Sequence, residues 1–176
     1  MQTTFVMRID KNLQFISSKI EELQIARFYC ITNGLLKISP TIINTNKVSD
    51  NGEILFFLPK PTQLISQFDK DFTVELNYFR KGIYSYLNVF GKARIVNDPE
   101  ELFEYELTPH EIERALSKDI LVMVKVIKAD YHINEPLTKN SVLKSLKSLT
   151  YGLWAWLEPT TRSYDFSKSQ LPNYGL

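Results

Sequence analysis

Apolar positions along the chain follow two periods. Leu13, Ile16, Ile20 and Leu23 recur at the spacing of one helical face, and Asp10 stands where a helix cap belongs. The pattern predicts a helix from Asp10 to about Gln24. Beyond it the period shortens. Residues 26–32 are aromatic and β-branched, Asn33-Gly34 favours a tight hairpin, and residues 35–45 read as the returning strand. Pro40 falls inside that strand, which predicts an edge or a bulge there. Asp50-Asn51-Gly52 marks a turn into a third strand over 53–58. Pro59 and Pro61 stop it, and Pro61 opens a short helix through Phe68. Residues 72–80 and 83–96 give the fourth and fifth strands around Lys81-Gly82. Gly91, in the middle of the fifth, predicts a bulge or a close approach by another backbone or a ligand.

Asp98-Pro99 and Thr108-Pro109 each pair a capping side chain with the fixed φ of a first helical residue, so two short helices follow the fifth strand. Glu101 is placed to reach back onto the first of these caps. A sixth strand covers 120–132, a last helix covers about 141–157, and Pro159 stops it. The tail to Leu176 shows no clear period. Strands joined by tight turns, with one helical crossover, predict a mainly β fold with flanking helices: a six-stranded antiparallel barrel. We expect a barrel domain over 1–133 and a C-terminal helical extension over 134–176, packed on the barrel or on a dimer partner.

Composition narrows the function. With 21 Lys plus Arg against 20 Asp plus Glu, the chain has no field for steering nucleic acid or an anionic membrane. The Tyr/Phe-rich strands around Arg80 and Lys81 therefore read as cross-strand packing before base stacking. Cys30 is the only cysteine, which excludes an intrachain disulfide and a Cys-rich zinc site. The first ten residues lack a basic stretch followed by a long apolar run, and a cytoplasmic protein is the expectation. Glycine-rich phosphate loops and a nucleophile elbow are absent. Cys30, with His110 or His132 as base, reads first as a packed thiol. Asp130, His132 and Glu135 read first as a surface cluster before a metal site.

One resemblance goes further. Asp50-Asn51-Gly52-Glu53-Ile54-Leu55-Phe56-Phe57 and Val89-Phe90-Gly91-Lys92-Ala93-Arg94-Ile95-Val96-Asn97-Asp98 resemble the pyridoxamine 5'-phosphate oxidase-like split barrels, nearest their general stress protein branch. Residues 121–131 resemble that family's last barrel strand, so the likeness covers roughly 10–133. It implies an FMN-binding split barrel, to which the helix read at about 141–157 adds a C-terminal helix, working as a homodimer whose groove holds FMN between two barrels. It implies a flavoprotein of oxidoreductase type with an unassigned substrate.

Carried onto this chain, the candidate phosphate shell is Lys37, Ser39, Thr41, Lys60, Thr62 and Gln63; the apolar face of the C-terminal helix reads first as packing and second as a roof with Trp154 or Trp156 beside the flavin ring. Where related chains carry Ser-Arg-Lys-Val, this one reads Thr62-Gln63-Leu64-Ile65, and Ser39 precedes Pro40 where they often have Arg. Hydrogen bonds to charged groups are worth about 1.5–3 kcal/mol each, so the change in donors matters. The alternative is a non-enzymatic dimeric barrel that has lost FMN or uses the groove for another ligand.

Overall fold

The computed structural model describes residues 10–31, 38–62, 71–133 and 160–167. The predicted turn at Asn33-Gly34, most of the helix at 61–68, the helix at 141–157, Lys37, Gln63, Trp154 and Trp156 lie outside them. The described chain runs α1 (Lys11–Leu23), β1 (Ile25–Cys30), β2 (Thr41–Val48), β3 (Glu53–Pro59), β4 (Asp71–Phe79), β5 (Ser85–Val96), α2 (Pro99–Glu104), α3 (Pro109–Ser117), β6 (Asp119–Ile133) and β7 (Thr160–Asp165). The strands form one antiparallel sheet in the order β3-β2-β1-β4-β5-β6-β7, and β3 pairs with β6 to close six of them into a barrel.

α1 forms as its spacing requires. Asp10 accepts a hydrogen bond from the Asn12 N–H, and Leu13, Ile16, Ile20 and Leu23 are all buried. The helix covers the end of the barrel where β2 turns into β3. There the Ser17 hydroxyl donates to the Ser49 carbonyl at 3.2 Å, and Leu13 lies against Gly52. Inward residues alternate along every strand, as in Phe72, Val74, Leu76 and Tyr78 of β4. Burial pushes the Tyr78 phenol up, so it stays neutral, and its hydroxyl meets that of Thr45 at 2.9 Å. A second core fills the outer face of β3, β5 and β6. There Leu55, Phe57, Val96 and Leu121 pack under Leu102 of α2 and Ala115 of α3.

Both crossover helices start at the caps that the sequence indicates. Asp98 accepts from the Glu100 N–H at 3.0 Å, and Thr108 and Glu111 form a reciprocal capping box. Glu101 does not reach back to the cap; it pairs instead with Arg94, which also donates to the Tyr105 hydroxyl at 3.2 Å. A guanidinium on the neighbouring strand is a stronger partner than a backbone N–H already close to Asp98. Thr108→Ala removes one half of the capping box and should lower stability by about 1 kcal/mol in urea unfolding. A Glu111→Ala variant that costs far more than this would mean the box does more than cap.

Two strand boundaries differ from the sequence expectation. Pro40 lies just before β2, which starts at Thr41; the bulge of this strand falls between Thr45 and Lys47 instead. A residue that cannot donate is better placed outside the ladder. The tail also contributes a strand. β7 pairs with β6 from Lys128↔Asp165 to Ile133↔Thr160. One edge of β6 is thus shared. β3 occupies it as far as Lys125, the Val126 N–H donates to the Gly52 carbonyl at 3.0 Å, and β7 takes over from Lys128. At the junction β6 bulges: Phe90 pairs with Lys128 and Gly91 with Val126, leaving Ile127 between them. The Phe166 N–H donates to the Ile127 carbonyl at 2.7 Å, and the Phe166 side chain is 2% exposed in the main core.

Candidate functional site

The antiparallel register defines two barrel ends. α1 lies at the end where β2 turns into β3. Away from it lie the start of β2, the end of β3 and the start of β6, as the Pro59↔Asp119 pair shows. Four of the expected phosphate-shell residues fall at that second end. Thr41 stands opposite Phe28 at the entry to β2, half-buried, with exposed Ser39 just before it. Thr41 precedes Thr45 by as many positions as Lys60 follows Phe56, and Thr45 pairs with Phe56. Thr41 and Lys60 therefore share one end of the β2–β3 hairpin, and Ser39 and exposed Thr62 stand one step further out on their segments.

Lys60 is partly committed. Its backbone N–H donates to the Lys118 carbonyl at 3.4 Å, and its ammonium donates to the Leu116 carbonyl at 3.2 Å. A cation suits the carbonyl end of α3. An ammonium has three donors, so two remain. Among the described candidates, the donors at this end are the hydroxyls of Ser39, Thr41 and Thr62 and the shared ammonium of Lys60. Such groups fit a phosphate, with less charge than a shell of Arg and Lys.

The other chemical candidates are Cys30, His110 and the Asp130–His132 pair, whose expected neighbour Glu135 lies outside the described residues. Cys30 is half-buried on β1 opposite Val74. His110 is exposed in the first turn of α3. No group of three metal-ligating side chains occurs among the described residues. No described helix is long and apolar enough to cross a membrane.

Asp130 and His132 instead tie β7 to β6. His132 stacks on Tyr86 at 4.2 Å, and its Nδ1 meets the Thr161 hydroxyl at 2.9 Å. The Ser163 hydroxyl donates to Asp130, and Lys128 lies 3.1 Å from the same carboxylate. Burial by itself pushes the Asp130 carboxyl up. The hydrogen bonds from Ser163 and Lys128, with the positive charge of Lys128 and of His132 when protonated, outweigh that and hold it below its usual value. A carboxyl depressed on folding stabilises the fold above its unfolded value, near 3.9, and loses that contribution as pH falls through the folded value. Asp130→Asn should therefore lower stability to urea at neutral pH by about 0.2–1 kcal/mol, and the difference should vanish under acid. A difference that grows on acidification would reverse the sign of this account.

Sequence reasoning missed the β6–β7 ties. The signal was present in the alternation of Tyr164 and Phe166 after Thr160 and Thr161, but it spans too few residues to stand out. Among the described residues, α2 and α3 cover the outer face of β3, β6 and the Val96 end of β5.

No family model and no curated protein matches the sequence. Solved structures do match in shape. A protein related to general stress protein 26 of the pyridoxinephosphate oxidase family, from Clostridium acetobutylicum, is 12% identical, with a TM-score of 0.55 over 91% of this chain and 99% of that one. A candidate general stress protein 26 from Jannaschia sp. CCS1 is 15% identical, with a TM-score of 0.54 over 88% and 100%. The general stress FMN/FAD binding protein of Xanthomonas citri is 17% identical, with a TM-score of 0.51 over 70% and 89%. At such identities the likeness is one of fold. The chain has the split-barrel fold of the general stress protein 26 and pyridoxamine 5'-phosphate oxidase-like proteins.

Proposed function

We propose that this chain binds FMN and serves as a flavin-dependent oxidoreductase whose substrate is unassigned. The observation that carries the reading is the gathering of Ser39, Thr41, Lys60 and Thr62 at one end of a split barrel. A similar barrel from Xanthomonas citri is named for FMN/FAD binding. The flavin would supply the redox chemistry; the chain supplies its binding. The two free N–H groups of the Lys60 ammonium would face the phosphate, and the Thr41 and Thr62 hydroxyls would donate beside them. In this reading Lys37, Gln63 and Trp154 complete the shell and the ring wall.

A second reading has its own support. Leu64 stands where related chains carry a cation, and Lys60 already serves the Leu116 carbonyl. That set suits a barrel that keeps the fold without flavin chemistry.

Titrating FMN and riboflavin by flavin fluorescence separates the two. The flavin reading expects saturable quenching by FMN in the micromolar range or tighter, with riboflavin at least ten-fold weaker because it lacks the phosphate. Lys60→Ala should narrow that gap. Equal binding of the two would discard the phosphate shell, and no binding of either would favour the second reading.

A further inference from the structure

Residues 134–159, which connect β6 to β7, leave the sheet and return to it at one point. The last pair of that ladder is Ile133↔Thr160. Ser85 stands on the other side of Ile133, and Tyr86, one position on, pairs with Phe79. This corner of the barrel carries exposed apolar side chains: Tyr84 is 62% exposed, Phe79 42%, Ile25 41% and, on the next strand, Ile42 56%. Phe79 follows Tyr78, the partner of Ala26, while Ile25 and Arg27 of β1 stand opposite Asn44 and Ile42 of β2. Phe79, Ile25 and Ile42 therefore lie close together on the outward side of three neighbouring strands. Contiguous exposed apolar residues mark a contact surface. In the same face Asn77, opposite Arg27, has a buried Oδ1 with no hydrogen-bond partner among the described residues. A buried acceptor left open calls for a donor from elsewhere.

The sequence of 134–159 supplies a match. At helical period Val142, Leu146, Leu149, Leu153 and Leu157 fall on one stripe, with Lys144 and Ser148 on the opposite side. The lengths also close. A helix over 141–157 is about 25 Å long, and residues 134–140, fully extended, reach about 23 Å. The stretch can run out from Ile133 and fold back to Thr160. That path sets the Leu153–Leu157 end beside Thr160 and carries the Val142 end over β5, β4 and β1 toward β2, about 19 Å away at ~4.8 Å per strand. Other surfaces fit less well. The exposed side of α1 is polar, with Lys11, Asn12, Gln14, Ser18, Glu21 and Glu22. Exposed Phe103 and Leu116 belong to α2 and α3, at the opposite end of β6.

We propose that residues 134–159 cover this face of their own barrel, with the stripe from Leu146 to Leu153 seated on Phe79, Ile25 and Ile42. Both ends of the stretch are anchored at the edge of the patch, so its local concentration there exceeds that of any free partner at micromolar protein. The inference does not rest on flavin binding. A seat on this face and a ring-wall role for Trp154 in the same chain exclude each other, while the donors Thr41 and Lys60 are untouched either way.

Disulfide trapping in the full chain tests the contact. In a Cys30→Ser background, Phe79→Cys is combined in turn with Leu149→Cys, Leu153→Cys and Leu157→Cys and mildly oxidised. At least one pair should bridge within a single chain, at least about ten-fold faster than the same three positions bridge to Phe103→Cys. Bridges that join two chains would give the stretch to a partner and overturn the proposal, as would rates no higher than the Phe103→Cys control. Tryptophan emission gives a second reading, since Trp154 and Trp156 are the only tryptophans and both lie in the stretch. Ile42→Asp combined with Phe79→Asp should shift that emission to the red with the far-ultraviolet circular dichroism of the barrel kept, because both side chains are exposed and the core is spared. An emission spectrum that does not move would overturn the proposal as well.

Discussion

Phe166→Ala should cost about 3–5 kcal/mol of stability, the range for deleting a buried phenylalanine ring. A domain of this size has about 5–15 kcal/mol in total, so the variant should sit near the edge of folding. The residue lies in a tail where the sequence shows no period, yet it is in the main core with 2% exposure. Its ring lies 6.4 Å from that of Tyr164, which in turn approaches Phe15 of α1 at 5.8 Å. Loss of the ring also weakens the reason for β7 to stay on the edge of β6. Chemical unfolding of the purified variant measures the cost. Ser163→Ala, which removes only an exposed hydroxyl tie to Asp130, is the control and should cost far less. Equal and small costs for the two would make β7 an accessory to the fold.

Gly91→Ala should be nearly as damaging. A Cβ at this position would stand 2.5 Å from the Val124 Cγ1 and 2.6 Å from the Lys125 carbonyl oxygen. The first neighbour is a branched side chain fixed in the core, and the second is backbone paired with Glu53 of β3. Neither can move without disturbing the seam that closes the barrel. Overpacking typically costs about 1–3 kcal/mol, and this case belongs at or above the upper end because one clash is with backbone. A second substitution, Val124→Ala, relieves the side-chain clash but not the carbonyl one. The double variant should therefore recover only part of the loss that two separate costs would give. Full recovery would place the strain in Val124 alone.

Much of this was legible because local chemistry and tertiary demand agree. Leu13, Ile16, Ile20 and Leu23 predict α1, and the barrel interior needs that face. Gly91 predicts a close approach, and Val124 and Lys125 provide it. Asp98 and Thr108 predict helix starts, and both accept the expected N–H bonds. The Pro40 boundary was misread because β-branched residues continue on both sides of it, and only the ladder shows where pairing begins. β7 was missed because a six-residue strand depends on its partner more than on its own period.

At the candidate site, Ser39, Thr41, Lys60 and Thr62 were identified from the resemblance, and residue type alone would not have chosen them. The bond from Lys60 to Leu116 could not be foreseen, since it joins segments far apart in sequence. The pairing of Arg27 with Asn77 and of Tyr29 with Glu75 likewise exists only once β1 and β4 are in register.

The visible absorption spectrum of the freshly purified full chain tests the central claim most directly. Bands of bound flavin, released on denaturation and identified as FMN by mass, are the predicted result. A colourless protein that also fails to take up added FMN would contradict it and leave a split barrel that uses its fold for something else.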